Sequence, residues 1–369
     1  MILNILLVSF IVIVSIQIIY YLFIFGSFSF GKIALGNASS APVSIIVCAK
    51  NEAENIKNYF PLLINQKYPE FEIVLIDDAS NDETLELFEE YEKQYSNVKL
   101  VKVQNNETFW GNKKYALTLG IKVAKYKQLL FIDADCKPAS SEWISNMSRN
   151  FTHKKTIILG YGAYNKTKNS FLNKLIRFET LMTAVQYFSW AKIGLPYMGV
   201  GRNLAYNSDE FYKVNGFIDH MKIRSGDDDL FVNQASTKEN TTICIEPNSF
   251  TYSNAKTSFS EWINQKRRHI STAKYYKSFD KFQLGLFYFT QLSTIILGVI
   301  LVITNHQLIL VTALISFRYM IAWTSIGFSA SKLKEKDVLY WYPFIELILI
   351  FTQLYLFFIN LFSKPKHWK

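Results

Sequence analysis

The sequence predicts an α/β domain with a mostly parallel, mixed sheet, joined at both ends to long apolar helices. From Pro42 to about residue 260, short apolar runs alternate with segments of helical periodicity. This alternation is typical of strands and helices that build a parallel sheet. Residues 2–25 carry no charge, and three further apolar stretches follow residue 283. Stretches of this length can cross a bilayer as helices.

Composition narrows the class of protein. The chain has 369 residues, half of them hydrophobic, with 30 Phe, 22 Tyr and a net charge of +10. A basic balance is compatible with nucleic acid, anionic lipid or phosphorylated substrates. The sequence contains no zinc-finger spacing or other nucleic-acid module, which argues against nucleic acid. Three widely separated cysteines form no disulfide or metal pattern and fit a reducing compartment.

Residues 1–28 are interpreted as an N-terminal transmembrane anchor. The segment has no positive charge before its apolar run, and that run is longer than the core of a usual signal peptide. We therefore expect an uncleaved anchor. Lys32 is the first flanking positive charge and favours a cytosolic position for the domain that follows.

Within that domain, strands are expected at residues 43–49, 71–76, 98–103 and 129–132. A helix over residues 51–66 is expected to break at Pro61. Ser80 and Glu83 have the spacing of a capping box for the next helix. Lys113 and Lys114 open a later helix, where the helix dipole disfavours cations, which points to a function.

Charged clusters follow at intervals along the same domain. Asp133 and Asp135 end a buried strand, and this Asp-x-Asp spacing suits a hard divalent cation. A solvated turn is the alternative. Two further acidic clusters occur at Asp77-Asp78 and Gly226-Asp227-Asp228-Asp229. A basic cluster follows at Gln265-Lys266-Arg267-Arg268-His269.

This ordered set resembles the family-2 glycosyltransferases, which have the GT-A nucleotide-sugar fold. The resemblance covers about residues 42–275 and is closest to the membrane-embedded branch that includes cellulose, hyaluronan and ceramide-glucosyl synthases. It implies four regions: an anchor at 1–28, a cytosolic GT-A domain at 40–260, a basic interfacial helix at 261–282, and transmembrane helices at 283–363.

The resemblance implies a donor site for a nucleotide sugar, with a UDP-sugar as the expected donor. Asp77 or Asp78 would hold the uracil or ribose, and Glu52 follows the first strand of the same motif. Asp133 and Asp135 would bind Mg²⁺ or Mn²⁺ at the diphosphate. The lysine at the start of the helix, Lys113, would neutralise the diphosphate. The alternative for Asp77 and Asp78 is a structural one, in which the dipole at a helix N-terminus stabilises their carboxylates. The alternative for Lys113 is a solvated position on the surface.

The resemblance also implies a catalytic base and residues on the far side of the donor. Asp228 takes the position of the general base, and Asp227 replaces the glutamate that the family has before it. Gln265 and Arg268 match a Gln-x-x-Arg-Trp motif, whose arginine, here Arg268 with help from Arg267, stabilises the leaving diphosphate. The alternative for Asp227 and Asp228 is an acidic turn without a catalytic role. The alternative for the two arginines is contact with anionic lipid.

The acceptor region is expected around Gly201 and Arg202, although a plain turn explains this segment equally well. His269 stands where the family has a tryptophan that contacts the acceptor sugar in processive synthases. This departure weakens the case for polymer synthesis and favours transfer of a single sugar.

Two further helices have open assignments. Residues 171–193 have an apolar side, which suits either the membrane interface or a protein core.

Spans are expected at roughly 284–304, 307–329 and 338–362. Pro343 and Glu346 make the last of these a candidate re-entrant segment, because three full crossings would place Lys364, Lys366 and Lys369 outside.

The expected function is that of a membrane-bound, inverting glycosyltransferase of the cytoplasmic membrane, multi-pass, with its catalytic domain facing the cytosol. Its expected partners are a nucleotide-sugar donor, a lipid-linked or glycan acceptor, membrane lipids and a larger envelope-biosynthesis assembly, without nucleic acid. The alternatives are a processive polysaccharide synthase subunit, a nucleotidyltransferase and a non-catalytic membrane scaffold.

Overall fold

The computed structural model describes residues 1–32, 36–104, 113–223 and 225–363. The chain divides into two compact units. The sheet unit comprises residues 33–168 and 194–256, and the helical unit comprises residues 1–32, 169–193 and 257–369. Residues 169–193 thus group with the apolar helices, although they fall inside the range expected for the catalytic domain. Lys364, Lys366 and Lys369 lie outside the described residues.

The strands form two sheets in the sheet unit. The larger has the order β3-β2-β1-β4-β8-β6-β9, and the smaller has the order β5-β10-β7. The strands are β1 (Val43–Ala49), β2 (Phe71–Asp77), β3 (Val98–Lys102), β4 (Gln128–Phe131), β5 (Cys136–Pro138), β6 (Ile157–Leu159), β7 (Gly162–Tyr164), β8 (Leu204–Asn207), β9 (Thr241–Ile243) and β10 (Thr251–Ser253). Strands β3, β2, β1 and β4 are parallel, and β8 is antiparallel to both of its neighbours. The expected mixed, mostly parallel sheet is confirmed.

The helices occur in both units. They are α1 (Ile2–Ile19), α2 (Phe25–Ser29), α3 (Ala53–Ile64), α4 (Thr84–Gln94), α5 (Lys113–Val123), α6 (Trp143–Ser148), α7 (Phe171–Lys192), α8 (Ser208–Lys213), α9 (Asp229–Ala235), α10 (Phe259–Ile270), α11 (Ser278–Ile303), α12 (Leu308–Lys332) and α13 (Tyr342–Phe362). A π-helical turn, Tyr20–Ile24, connects the first two.

The central strands are apolar on both sides because helices and loops cover both faces of the sheet. Ile45, Val47, Ile73 and Leu75 are fully or almost fully buried in one core with Phe88 of α4. This core fixes the register of β1 and β2. It therefore also fixes the positions of the polar residues that follow them.

Two local expectations in this unit are wrong. Pro61 lies inside α3 without a break, since it falls in the last turn and removes only one hydrogen bond before the helix ends. Ser80 does not cap α4, which begins at Thr84. Its hydroxyl instead accepts a hydrogen bond from the Asn51 amide at 3.0 Å, and Asp82 accepts the amide hydrogen of Thr84.

The helical unit contains four helical segments that are long and apolar enough to cross a membrane: Ile2–Ser29, Ser278–Ile303, Leu308–Lys332 and Lys336–Phe362. Helix α7 is buried along most of its length, which favours the core-packing interpretation over the membrane interface. Its Arg177 is 2% exposed and forms ion pairs with Glu335 and Asp337.

The basic segment of residues 261–282 does not form one helix. Helix α10 ends at Ile270, and α11 begins at Ser278. The hydroxyls of Ser271 and Thr272 bond the carbonyls of Arg268 and His269, which gives the last turn of α10 local partners and ends it there.

A buried ion pair connects two of the membrane-span candidates. Arg318 of α12 forms two hydrogen bonds of 2.7 Å with Glu346 of α13. Gln17 and Tyr21 accept further hydrogen bonds from the same guanidinium, and Tyr342 donates to the glutamate. The charge of Glu346, which made this segment a candidate re-entrant loop, therefore has a partner inside the helical unit.

Candidate active site

The acidic residues of the sheet unit converge at the carboxyl edge of its parallel strands. Asp77 is the last residue of β2 and pairs in register with Ala49 of β1. Asp133 and Asp135 follow β4, on the other side of β1. Because these strands run in one direction, their carboxyl ends share one edge, where ligands bind in open α/β sheets.

Lys113 connects two of the acidic clusters. Its ammonium lies 2.7 Å from Asp133 and 3.1 Å from Asp227. Desolvation acts to lower the pKa of Lys113, but the charges of these two carboxylates outweigh it and raise the pKa well above its usual value. The lysine is therefore held as a cation between the end of β4 and the segment before α9.

A small cleft surrounds this contact. It has a volume of about 340 Å³, part of it open to solvent. Its polar lining includes Lys113, Asp133, Asp227 and Asp228, and its apolar floor includes Phe131 and Leu204. Two clusters 94 residues apart in sequence thus share one cavity within the sheet unit.

Asp228 is held by backbone amides at the edge of this cleft. One carboxylate oxygen accepts a hydrogen bond of 2.6 Å from Gly201, and the other accepts one of 2.7 Å from Asp229. Gly226, with φ +89°, makes the turn that delivers the acidic run, and a Cβ there would lie 2.6 Å from Leu230. The turn therefore requires glycine.

The surroundings of Asp228 raise its pKa to about 7. Desolvation is the largest cause, followed by the charges of Asp227 and Asp229. The Gly201 amide and Lys113 act in the opposite direction. A carboxylate with this pKa can accept a proton near neutral pH, as a general base must.

The end of β2 is also crowded. Asp77 and Asp78 are both buried, and the Asp77 carboxylate accepts the amide hydrogen of Ser80. Desolvation raises the pKa of Asp78, and Lys50 and Lys113 partly offset the rise. The electrostatic effect of Lys113 links Asp78 to the same cleft.

Glu52, Asp133 and Asp135 form a second acidic group. Desolvation raises the pKa of Glu52, and the charges of Asp135 and Asp133 add to it. Asp135 is exposed, yet the surrounding protein still desolvates it, and this desolvation, with the charge of Asp133, raises its pKa. Two carboxylates that repel each other in this way favour a cation between them.

The same place offers candidate metal ligands. Oxygens of Asp133 and Asp135 and the sulfur of Cys136 lie within 4.8 Å of one another. Carboxylate oxygens are the ligands that hard divalent cations prefer, so the residues fit Mg²⁺ or Mn²⁺.

Arg202 is not a surface residue. Its guanidinium donates hydrogen bonds to the carbonyls of Gly162 and Ala163 and to Ser253, and it lies 4.3 Å from the ring centre of Tyr164. It thus ties the segment after Gly201 to the smaller sheet.

The expected Gln-x-x-Arg motif belongs to the helical unit. Gln265, Arg267, Arg268 and His269 all lie on α10. Arg267 is buried and donates hydrogen bonds to Asn360 and Ser363, so its guanidinium is occupied by the end of α13. The proposed role of Arg268 stays a prediction.

Sequence reasoning missed the role of Lys114. This lysine is fully buried, and its ammonium donates hydrogen bonds of 2.8–3.0 Å to the carbonyls of His220, Ile223 and Ser225. It holds the segment that leads into the acidic run. A second lysine beside Lys113 was the only signal in the sequence.

Comparison with known proteins identifies the family. Residues 44–225 match the family model described as "Glycosyl transferase family 2". The chain belongs to glycosyltransferase family 2. The resemblance stated from the motifs is confirmed at this level.

Individual relatives match this chain over shorter stretches. A poly-beta-1,6-N-acetyl-D-glucosamine synthase of Staphylococcus epidermidis is 33% identical over 93 residues, which are 25% of this chain and 21% of that protein. A beta-monoglucosyldiacylglycerol synthase of Trichormus variabilis is 34% identical over 100 residues, 27% of this chain and 21% of that protein. The matches thus span about a fifth of the length of these two relatives.

A solved structure supports the fold over nearly the whole chain. The mannosyltransferase PcManGT from Pyrobaculum calidifontis superposes with a TM-score of 0.58 at 14% identity, and covers 94% of this chain and 98% of that chain. The chain therefore has a GT-A-like α/β fold.

Proposed function

We propose that this protein is a membrane-bound, inverting glycosyltransferase. It transfers a sugar from a nucleotide-sugar donor, with UDP-sugars as the first class to test, to a lipid-linked or glycan acceptor. The transfer adds a single sugar. The convergence of Asp133, Asp227 and Asp228 on Lys113 in one cleft is the observation that carries this proposal.

In the donor site, Asp77 and Asp78 hold the nucleoside, while Glu52, Lys113, Asp133 and Asp227 surround the diphosphate. Asp133 and Asp135 supply carboxylate oxygens to Mg²⁺ or Mn²⁺. When bound, the cation neutralises negative charge on the diphosphate. Lys113 adds a positive charge at the same place and is pre-positioned by its two carboxylate partners.

Asp228 acts as the general base. The acceptor hydroxyl loses its proton to this carboxylate as its oxygen forms the new bond to the anomeric carbon of the sugar. The Gly201 and Asp229 amides hold both carboxylate oxygens and so fix the direction from which the proton is taken. Attack on the face opposite the departing diphosphate inverts the anomeric centre.

The resemblance adds Gln265 and Arg268 to the diphosphate site and Gly201, Arg202 and His269 to the acceptor region. Of these, Arg202 serves as a positioning residue, because its guanidinium is bonded to the smaller sheet. Histidine in place of tryptophan at position 269 supports transfer of one sugar rather than polymer synthesis.

Relatives support the classes of donor and acceptor. The name of one describes the synthesis of a glycan and that of another a glucosyldiacylglycerol, and the superposed mannosyltransferase was solved in complex with GDP-Man and Mn²⁺. Four apolar helices support a multi-pass position in the cytoplasmic membrane. We place the sheet unit in the cytosol, where nucleotide sugars are available, in contact with a larger envelope-biosynthesis assembly.

A donor screen tests the proposal. The full-length protein in phospholipid nanodiscs is incubated with Mn²⁺, a membrane extract as the source of acceptor, and each of several UDP- and GDP-sugars, and the released nucleotide is identified. We expect a nucleoside diphosphate from one donor, and its loss on chelation of the metal. Release of pyrophosphate would favour a nucleotidyltransferase, and no turnover of any donor would favour a scaffold.

Product length separates single transfer from the alternative of a processive polysaccharide synthase subunit, which the Staphylococcus epidermidis relative favours. With a membrane extract as the source of acceptor, one added sugar supports the proposal. A ladder of products would overturn the single-transfer part of it and leave the donor chemistry intact.

A further inference from the structure

A groove in the helical unit has no place in the proposed reaction. It lies between α11, α12 and α13 and has a volume of about 730 Å³, part of it open to the surroundings. Its walls are mostly aliphatic. The lining includes Ile295, Gly298, Val299, Val302, Ile303, Ile315, Leu347 and Ile350, together with Gln291, Thr294, Arg318, Tyr319 and Glu346.

The polarity of the groove changes along α11. Its polar lining residues on this helix are Gln291 and Thr294, and from Ile295 to Ile303 the lining is apolar. The Arg318–Glu346 pair lies at the polar end, since Gln291 also contacts Glu346, at 3.3 Å. The other end is open, because Val299 and Ile303 are 52% and 74% exposed.

The length of the groove matches one leaflet of a bilayer. Gln291 to Ile303 is about 18 Å along the helix at 1.5 Å per residue. Half of the hydrocarbon core of a bilayer is about 15 Å thick. All three helices that form the groove are long and apolar enough to cross a membrane. The groove therefore runs from near the middle of the span candidate α11 to its Ile303 end.

We propose that this groove binds one hydrocarbon chain of a bilayer phospholipid from the leaflet at the Ile303 end of α11. The inference rests on the membrane position in the proposed function, but not on the sugar chemistry. An aliphatic groove open at the level of the lipid chains gains contacts with hydrocarbon and offers water few partners.

The bound chain has a consequence for the ion pair. By filling the groove, it keeps water away from Arg318 and Glu346, whose side chains are 3% and 4% exposed. Exclusion of water lowers the local dielectric constant and strengthens the attraction between the two charges.

A filling substitution tests the site. Val299→Trp places an indole in the groove, whereas Ile296→Trp on the same helix makes a similar change at a position that does not line it. Val299 and Ile296 are similarly exposed, at 52% and 49%. The two variants therefore differ mainly in whether the groove is filled.

The full-length protein and both variants are reconstituted with a single phosphatidylcholine, extracted in mild detergent and examined by native mass spectrometry. We expect one phospholipid to be retained by the wild type and by Ile296→Trp, with at least a tenfold lower occupancy in Val299→Trp. Equal retention in all three proteins would overturn the proposal. A retained polyprenyl-linked lipid in place of phosphatidylcholine would overturn it as well.

A labelling measurement keeps the test independent of lipid retention. Val299→Cys in nanodiscs should react with a charged maleimide at least tenfold more slowly than a free cysteine in water, because a groove filled with hydrocarbon excludes the reagent and disfavours the thiolate. Fast reaction with the charged reagent would show a water-filled groove and overturn the proposal. Failure of the protein to insert into nanodiscs would instead contradict the membrane position, and the donor screen reports separately on the sugar chemistry.

Discussion

The Arg318–Glu346 pair of the helical unit is buried and the charged groups of the cleft in the sheet unit are partly buried, and the two clusters differ in the balance of charge. In the helical unit, the Arg318–Glu346 pair has one cation for one anion, and neutral side chains surround it. In the sheet unit, Lys113 faces Asp133 and Asp227, with Asp228 and Asp135 nearby. Among the residues named here, four carboxylates surround one lysine.

This difference in charge balance indicates a structural role for the Arg318–Glu346 pair and a role in ligand binding or catalysis for the charged groups around Lys113. A balanced pair offsets much of its own desolvation cost and needs no ligand. Desolvation raises the pKa of Asp228 and of Asp135, and the neighbouring carboxylates add to the rise. A bound cation or protonation can relieve the excess of negative charge. Substitutions in the two clusters should therefore affect different properties of the protein.

The largest expected effect on activity comes from Asp228→Asn. The amide cannot accept the proton of the acceptor hydroxyl, so we expect the transfer rate to fall by about 10²–10⁴-fold. The amide oxygen keeps one of the two backbone hydrogen bonds of Asp228 and the NH2 group loses the other. Because this loss is local, UDP affinity should change less than threefold. Transfer rate and UDP binding are measured on the same preparation. Asp209→Asn, at a surface ion pair with Lys127, is the control and should keep full activity.

If Asp228→Asn retained more than a tenth of the wild-type rate, Asp228 would not be the base. The raised pKa of Asp228 would then have no role in proton transfer.

The largest expected effect on stability comes from Arg318→Met. This change leaves Glu346 buried without its cation, which costs about 3–5 kcal/mol. Thermal unfolding in detergent should show a large loss of stability, while UDP binding by the surviving folded protein stays normal. The double variant Arg318→Met with Glu346→Leu removes both charges and should recover most of the loss. Equal losses in the single and double variants would contradict a role for the pair.

The strands and the acidic ends could be predicted from sequence because they depend on local pattern. Continuous apolar runs indicate strands covered on both faces, and a parallel sheet brings their carboxyl ends to one edge. Asp77, Asp133 and Asp135 could thus be assigned to one edge before the structure was known. Their proposed roles as ligand-binding residues stay predictions.

Contacts between distant segments could not be predicted in the same way. Lys114 bonds carbonyls more than 100 residues away, and Arg318 pairs with a glutamate on another helix. Such pairs leave no periodic signal. Arg267 was expected to assist Arg268, yet a one-residue step on a helix turns a side chain by about 100°, and Arg267 bonds Asn360 of α13.

A smaller effect is expected from Asp135→Asn. The change removes one anionic oxygen from the proposed metal site, and we expect the Mn²⁺ concentration for half-maximal turnover to rise at least about tenfold. Binding of Mn²⁺ measured by electron paramagnetic resonance should weaken in parallel. Cys136→Ser is a matched change beside the carboxylates and should weaken Mn²⁺ binding less than Asp135→Asn does. The sulfur that it removes is a poor ligand for a hard cation, which favours oxygen. Unchanged Mn²⁺ binding in Asp135→Asn would remove this carboxylate from the site.

The smallest expected effect is a shift in pH dependence. The active form of Asp228 is the carboxylate, and its pKa is about 7, so the turnover rate should rise between pH 6 and pH 8. Lys113 favours the charged form of Asp228. Lys113→Met should therefore raise this pKa and move the midpoint of the rising limb upward by about one pH unit.

The midpoint of that limb is the quantity to compare, because loss of Lys113 also lowers the rate at every pH by weakening the diphosphate site. Lys127→Met, at an exposed ion pair in the same unit, is the matched control and should leave the midpoint in place. A midpoint unchanged in Lys113→Met would mean that the lysine does not act on the base. The acidic excess would then be relieved by the metal and the donor, and Lys113 would serve the diphosphate alone.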